Sequence, residues 1–280
     1  MRVVVLGAGG LLGRHVVDEL RGHDVVALAR ADCDVTDRAD VVARVAGSEL
    51  VINCAAFTNV DGAEAEPEGA YRVNALGAEN AARAARLAGA KLVHVSTDFV
   101  FDGARPGGYD ELDAPRPLSI YGRSKWAGEE LVSRVGANTF LARVQGLYGV
   151  GGANFSSKLR ALVAAGTPLV LDGEREVQPT WARAAARQII ALAAGDDYGT
   201  YHLSCRGQTT WAEFARAIAA RLGVVASFRV VPTSELRAPA ARPARSVFLH
   251  RMLDLRGINL MPTWESALDA YLAEATRMDR

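Results

Sequence analysis

Cysteine is scarce: Cys33, Cys54 and Cys205 stand far apart in 280 residues, with no CxxC pair and no Cys/His ligand spacing. An odd, scattered set argues against a disulfide scaffold and against a zinc site. It reads as buried thiols in a reducing cytoplasm. Net charge is lacking too, since Lys plus Arg and Asp plus Glu both total 32, so no nucleic-acid partner is expected. No apolar run approaches the ~18 residues of a membrane span. The opening run, Val3 to Leu6, meets glycine too soon for a signal segment. The expectation is a soluble, cytoplasmic protein without a membrane partner. Internal repeats are absent as well, and the Ala-rich segments read as helices.

What is present is a β-α alternation. Candidate strands are Arg2–Leu6, Asp24–Leu28, Leu50–Asn53, Lys91–Val95 and Thr139–Arg143, with helical patterns such as Leu11–Arg21, Ala70–Ala88 and Ser124–Val135 between them. Short runs rich in Val, Ile and Leu fit parallel strands buried on both faces. Beyond Gly149 come a helix (Asn154–Ala165), a strand (Pro168–Leu171), a helix (Thr180–Ala194), a strand (Gly199–Leu203) and a helix (Thr209–Leu222). A Pro/Ala/Arg stretch, Ala238–Arg245, precedes a last helix, Trp264–Ala275. The expected fold is α/β: a Rossmann-type doubly wound parallel sheet with a smaller C-terminal substrate-binding lobe. Residues 1–150 and a returning segment of about 180–207 would form the nucleotide-binding unit. The lobe would take about 151–179 and 208–280.

Directly after the first strand stands Gly7-Ala8-Gly9-Gly10-Leu11-Leu12-Gly13. Gly7 suits the tight turn, Gly10 a close approach to a pyrophosphate, and Gly13 the packing of helix on strand. The helix N-terminus would then face the phosphates. A ligand-free glycine turn is the competing reading, and the strand–turn–helix context favours the dinucleotide. At the tip of the second strand an acid would bind the ribose of NAD. Here Arg30 stands instead, with no carboxylate before Asp32. Arg30 suits the 2′-phosphate of NADP, so NADPH is preferred over NADH, although a solvated loop arginine would look the same. Asp34 would lie near the adenine.

Tyr121 and Lys125 form a YxxxK, which on a helix shares one face. Reduction of a carbonyl by hydride needs a proton at the oxygen. A tyrosine of pKa ~10 serves if a nearby ammonium lowers it. Lys125 would also hold the nicotinamide ribose. The fourth strand ends in Ser96-Thr97-Asp98, where ligands bind in open α/β sheets, and Thr97 would hydrogen-bond the same substrate oxygen. A turn cap is the alternative for Thr97. His94 reads as a core histidine, and Trp211 and Trp264 as packing residues. Arg237, Arg242 and Arg245 form a basic cluster suited to a diphosphate.

With these motifs in order, the chain resembles the extended short-chain dehydrogenase/reductase superfamily and, more narrowly, the dTDP-4-dehydrorhamnose reductase family. The matching strings span nearly the whole length. They are Gly7–Gly13, Asp34-Val35-Thr36-Asp37, Asn53 to Thr58 with Val60-Asp61 and Ala63-Glu64, Val73-Asn74-Ala75, and Ser96 to Gly103. Tyr121 to Lys125 with Ala127-Gly128-Glu129, Asn154-Phe155, Pro179-Thr180, and Arg242-Pro243 with Ser246 complete them. The resemblance implies reduction of the 4-keto group of a nucleotide-linked, dTDP-type 6-deoxyhexose in deoxysugar biosynthesis. Thr97, Tyr121 and Lys125 would be catalytic. Gly7, Gly10, Leu11, Leu12, Gly13, Arg30, Asp34, Val35, Ala55 and Ala56 would hold the cofactor with Tyr121 and Lys125. Phe57, Thr58, Thr97, Asp98, Phe99, Arg143, Asn154, Phe155, Gln178, Arg242 and Ser246 would meet the substrate. No metal site is implied, and a homodimer is compatible with the sequence.

Two segments depart from the family pattern. The usual RTSW-x-Y becomes Arg143-Val144-Gln145-Gly146-Leu147-Tyr148, without the aromatic that borders the sugar. DQxGxPT becomes Glu174-Arg175-Glu176-Val177-Gln178-Pro179-Thr180, without its glycine. Both leave the particular sugar open. Phe99 stands where a dehydratase needs an acid. An epimerase would keep the same triad, and a non-catalytic NADP-binding partner of methionine adenosyltransferase is a relative of another class. Retention of Thr97, Tyr121 and Lys125 together argues against the non-catalytic partner, and the shorter second lobe favours the reductase over the epimerase.

Overall fold

The apolar runs of the N-terminal half become strands because the sheet buries them on both faces. In the computed structural model, which describes residues 1–151 and 155–278 apart from the side chains of Phe155, Ser156 and Ala164, these are β1 (Arg2–Leu6), β2 (Asp24–Leu28), β3 (Leu50–Asn53), β4 (Lys91–Thr97) and β5 (Thr139–Val144). Helices α1 (Leu11–Glu19), α2 (Arg38–Val45), α3 (Val60–Ala65), α4 (Pro67–Tyr71), α5 (Gly77–Ala88) and α6 (Ile120–Val135) run between them. Val3 to Leu6, Val51, Ile52, Leu92 and Val93 are wholly buried. Each such side chain contributes roughly 1.5–3 kcal/mol by leaving water.

The second half supplies β6 (Leu147–Tyr148), α7 (Phe155–Ala164), β7 (Leu169–Asp172), β8 (Glu176–Val177), β9 (Thr180–Trp181), α8 (Ala182–Ala194) and β10 (Gly199–Leu203). After these come β11 (Thr209–Thr210), α9 (Trp211–Leu222), β12 (Phe228–Val231), α10 (Arg251–Leu255) and α11 (Trp264–Met278). The main sheet has six strands in the order β10-β5-β4-β3-β1-β2, all parallel. Strand order reverses at β1, so a crevice opens at the carboxyl ends of β1 and β3, where open α/β sheets bind ligands. Two-stranded pairs β7·β12, β8·β11 and β6·β9 order the remaining segments.

Several elements differ in extent from the sequence pattern, and three of the differences have identifiable reasons. β4 extends two residues, to Thr97, because Ser96 and Thr97 pair with Arg143 and Val144 of β5. The helix read from Thr180 starts at Ala182, since Thr180 and Trp181 pair with Leu147 and Tyr148. The helix read from Ala70 to Ala88 is interrupted by a π turn, Arg72–Leu76, a feature that often marks a functional site. Burial pushes the thiols up, to about 11 for Cys33 and about 12 for Cys54 and Cys205, which makes them inert at neutral pH. No helix among the described residues is long and apolar enough to cross a membrane.

Candidate active site

The glycine loop is built by close approach. Gly7 has φ 75°, and a Cβ there would lie 2.6 Å from the Ala55 nitrogen; a Cβ at Gly13 would lie 2.3 Å from the Gly7 carbonyl oxygen. The turn therefore presses α1 against β1 and β3 as no larger residue permits. Gly10 caps α1 without a side-chain hydrogen bond, which leaves the N-terminal N–H groups for an anion. The cradle fits a dinucleotide pyrophosphate. Leu11 is half-buried and Leu12 buried, so Leu12 can serve a cofactor only through its backbone.

At the tip of β2, Arg30 is exposed. Asp32 accepts from the Ala29 N–H at 2.9 Å, and Asp34 accepts from the Thr36 N–H at 2.9 Å and its hydroxyl at 2.8 Å. These bonds hold the exposed Asp34 carboxyl below the usual range. Both acids are thus committed to their own turns. Val35 is buried below them. On β3, Asn53 accepts from the Ala55 N–H at 3.1 Å, setting the Ala55-Ala56-Phe57 loop. Asn74, from the π turn, accepts from the Phe57 N–H at 2.8 Å and donates to the Phe57 carbonyl at 3.1 Å and the Ser124 hydroxyl at 3.0 Å. One side chain ties the cofactor-side loop to α6. In the sequence Asn74 stands out only within the Val73-Asn74-Ala75 string, since its partners lie 17 and 50 residues away.

Ser119 caps α6 by accepting from the Gly122 N–H at 3.1 Å. A Cβ at Gly122 would lie 2.2 Å from the Phe99 carbonyl oxygen, so α6 seats directly on the turn after β4. This brings Tyr121 edge-on to Phe99, with ring centroids 5.4 Å apart, on the side of the β4 end that carries Thr97. Burial pushes the phenol up to about 12; the neighbouring Thr97 hydroxyl pulls down and the nearby Asp98 pushes up. Lys125 is buried and donates to the Val95 carbonyl at 2.6 Å. Burial lowers it to about 8, against the attraction of Glu129. The expectation that Lys125 lowers the tyrosine is therefore corrected: desolvation dominates, and Lys125 couples to Glu129 and Cys54. A phenol that holds its proton at neutral pH suits donation.

A cavity of about 460 Å³ lies against this end of β4, lined by Asp98, Phe99, Gln145, Ser246, Arg242, Arg175 and Trp211 among others. Asp98 accepts from Gln145 at 3.0 Å and from the Ser246 hydroxyl at 2.6 Å. Gln178 is buried behind it, its N–H donating to the Gln145 side chain at 2.7 Å. Phe57 is half-buried and Thr58 exposed at the neighbouring loop. Arg242 forms two bonds to Asp61, at 3.0 and 2.8 Å, and Arg175 is paired with Asp172. Asn154 and the side chain of Phe155 lie outside the described residues.

Two expectations change. Arg143 does not line the cleft: it is 4% exposed, bonded to Glu129 at 3.0 and 2.7 Å, and stacked over Phe101. Its guanidinium is a buried pillar between β5 and α6, because Glu129 turns inward on a helix packed against the sheet. Trp211 is not only packing, since its indole forms a cavity wall. A Cβ at Gly146 would lie 3.5 Å from the Trp211 ring. The aromatic missing at position 146 is thus met in space by one from α9, which no local signal announces. Trp264 does pack, 6.0 Å from Phe214. His94 is fully buried beside Asn53 at 3.1 Å and held well below its ordinary pKa by desolvation, a core histidine. Among the described residues no group of His, Cys, Asp and Glu could hold a metal ion.

The RmlD substrate binding domain model matches residues 1–277. The chain belongs to that family. It is 39% identical to a dTDP-4-dehydrorhamnose reductase of Streptomyces griseus, over 95% of this chain and 91% of that protein. It is 36% identical to a dTDP-4-keto-6-deoxy-D-glucose reductase of Streptomyces niveus, over 95% of each. The crystal structure of dTDP-4-dehydrorhamnose reductase from Bacillus anthracis in complex with NADP superposes with a TM-score of 0.95, at 39% identity, covering 98% of this chain and 99% of that one. The resemblance read from the motifs and the Rossmann-type parallel sheet both hold. The motifs assign no site role to Gln145, Trp211 and Arg175, which line the cavity, or to Asn74, which ties the Phe57 loop to α6.

Proposed function

We propose that the chain is an NADPH-dependent reductase of the 4-keto group of a nucleotide-linked, dTDP-type 6-deoxyhexose, acting in deoxysugar biosynthesis. The observation that carries this is the placement of Thr97 at the carboxyl end of β4, with Tyr121 packed on Phe99 of the turn that follows, next to a cavity that Asp98, Phe99, Arg242, Arg175 and Trp211 line. Residues 1–150 with a returning segment of about 180–207 hold the cofactor, and the described residues of about 155–179 and 208–278 form the sugar-nucleotide lobe. The Bacillus anthracis relative crystallised with NADP and the exposed Arg30, with Asp32 and Asp34 both committed, support NADPH.

NADPH, when bound, supplies the hydride to the keto carbon. Gly7, Gly10 and Gly13 admit its pyrophosphate, and Lys125 holds the ribose. Thr97 donates a hydrogen bond to the keto oxygen and Tyr121 gives it a proton as negative charge grows there. Arg242 and Arg175 neutralise the substrate diphosphate. Phe99 leaves no acid after Asp98 for elimination.

Oxidation of NADPH and of NADH, followed with a panel of dTDP- and other nucleotide-linked 4-ketohexoses, tests the assignment. Turnover with at least one dTDP-4-keto-6-deoxyhexose, faster with NADPH, is expected. Tight NADPH binding with no turnover on any keto sugar defeats the reductase and favours a binding subunit. The indole over Gly146 yields a second expectation. Trp211→Ala should raise KM for the sugar nucleotide about tenfold or more, as loss of a buried aromatic worth about 1.4 kcal/mol or more to the ligand would. NADPH affinity should stay unchanged, and an unaltered KM removes Trp211 from the site.

A further inference from the structure

Arg242 lines the cavity from a stretch of chain that has no helix or strand of its own, yet its guanidinium is held in place. Nη1 donates to Asp61 Oδ1 at 3.0 Å and to the Ala240 carbonyl at 3.0 Å, and Nη2 donates to Asp61 Oδ2 at 2.8 Å. Asp61 Oδ1 also accepts from the Ala240 N–H at 3.1 Å. One carboxylate thus grips both the backbone and the cation of residues 240–242.

A guanidinium carries five N–H groups in a rigid plane. Both Nη1 hydrogens and one Nη2 hydrogen are spent on Asp61 and Ala240. The remaining two, on Nε and on the outer side of Nη2, have no partner among the described residues. They lie parallel along one edge of the plane, the edge that meets two oxygens of a single phosphate.

The Asp61 carboxylate has no task within its own helix. Asn59 caps α3 by accepting from the Gly62 N–H at 3.0 Å, and the bonds printed on Asp61 all come from residues 240–242. Asp61 is also well anchored. Glu64, one turn further along α3, accepts from the Ile120 N–H at 2.8 Å, and Ile120 opens α6 directly before Tyr121. Two acids of one short helix therefore tie Arg242 and the catalytic helix to a common element. The Arg242 bonds hold the Asp61 carboxyl below the usual range, so the pair stays ionised at neutral pH.

We propose that Asp61 is a positioning residue that presents the Nε–Nη2 edge of Arg242 to one phosphate of the substrate diphosphate. An unbraced arginine loses rotamer freedom when it grips a ligand, and an arginine ordered beforehand does not. The role goes beyond the substrate contact read for Arg242 from the motif. It rests on the proposed function for the identity of the ligand.

Asp61→Asn keeps the shape of the side chain and one acceptor oxygen, but it cannot receive Nη1 and Nη2 together. Calorimetric titration of the NADP-loaded chain with dTDP reads the brace without turnover. D61N should bind dTDP about tenfold more weakly than the parent, and thymidine, which has no phosphate, should bind both alike. KM for the keto sugar nucleotide should rise by a similar factor at nearly unchanged kcat. Arg242→Gln should weaken dTDP at least as much, and adding D61N to it should cause no further loss, because Asp61 acts only through Arg242. Additive losses overturn the brace, and so does unchanged or tighter binding of dTDP by D61N. A parent chain that binds dTDP no better than thymidine overturns it as well, since Arg242 then meets no phosphate. A chain that binds dTDP but reduces no keto sugar loses the reductase assignment and keeps the brace. NADP binding checks that the variant folds. Should D61N fail that check, Asp61→Ser removes the same fork, with the same results expected and excluded.

Discussion

Tyr121→Phe should bind NADPH as the parent chain does and lose about 10²–10⁴-fold in kcat, the range spanned by loss of a positioned general acid. The substitution removes one oxygen and leaves the ring against Phe99, so the packing of α6 on the turn after β4 is kept. What disappears is the proton at the position where charge develops on the substrate oxygen. The phenol, pushed up to about 12 by burial, is protonated across the neutral range and ready to donate. Steady-state oxidation of NADPH reads the loss directly. A loss of less than about tenfold would place the donor elsewhere.

Arg143→Met should cost about 3–5 kcal/mol of folding stability, the usual consequence of removing one partner of a buried ion pair. Arg143 and Glu129 are each about 5% exposed as side chains, 2.7 Å apart. Glu129 also accepts from the Ser96 hydroxyl at 2.5 Å. The methionine stem replaces much of the volume, so the loss is chiefly electrostatic: Glu129 is left charged in a low-dielectric interior. Denaturant unfolding measures it. Pairing the change with Glu129→Leu should recover a large part of the lost stability, since a buried pair is often replaceable by apolar groups. A single-variant loss below about 1 kcal/mol would mean that Glu129 finds another cation, and Lys125 is the one already coupled to it. In that case Lys125 would be drawn from the Val95 carbonyl and turnover would fall while stability held.

Much of the site was legible because it is local. Gly7, Gly10 and Gly13 sit within one turn whose geometry depends on neighbours a few residues away, and Tyr121 and Lys125 share a helix face by spacing alone. Thr97 was readable from its place at the end of an apolar strand. Arg143 was misplaced because a cation at a strand end looks alike whether it faces a ligand or a buried acid. The acid that decides the matter, Glu129, comes from a helix packed against the sheet. Trp211 was undervalued for a related reason: an indole opening a helix carries no mark of the cavity it walls.

Composition and pattern alone determined the class of fold, the dinucleotide loop and the catalytic types, since these follow from strand periodicity, glycine sterics and i,i+4 spacing. Tertiary structure decided the rest. It determined that burial, and not Lys125, governs the Tyr121 phenol. It made Arg143 a pillar, and it supplied an aromatic wall over Gly146 from α9. It also joined Asp98, Gln145 and Ser246, which lie up to 148 residues apart in the chain, into one hydrogen-bonded group behind Thr97. Desolvation and long-range pairing depend on which segments meet, and strand order and helix packing set those meetings where no short window of sequence records them.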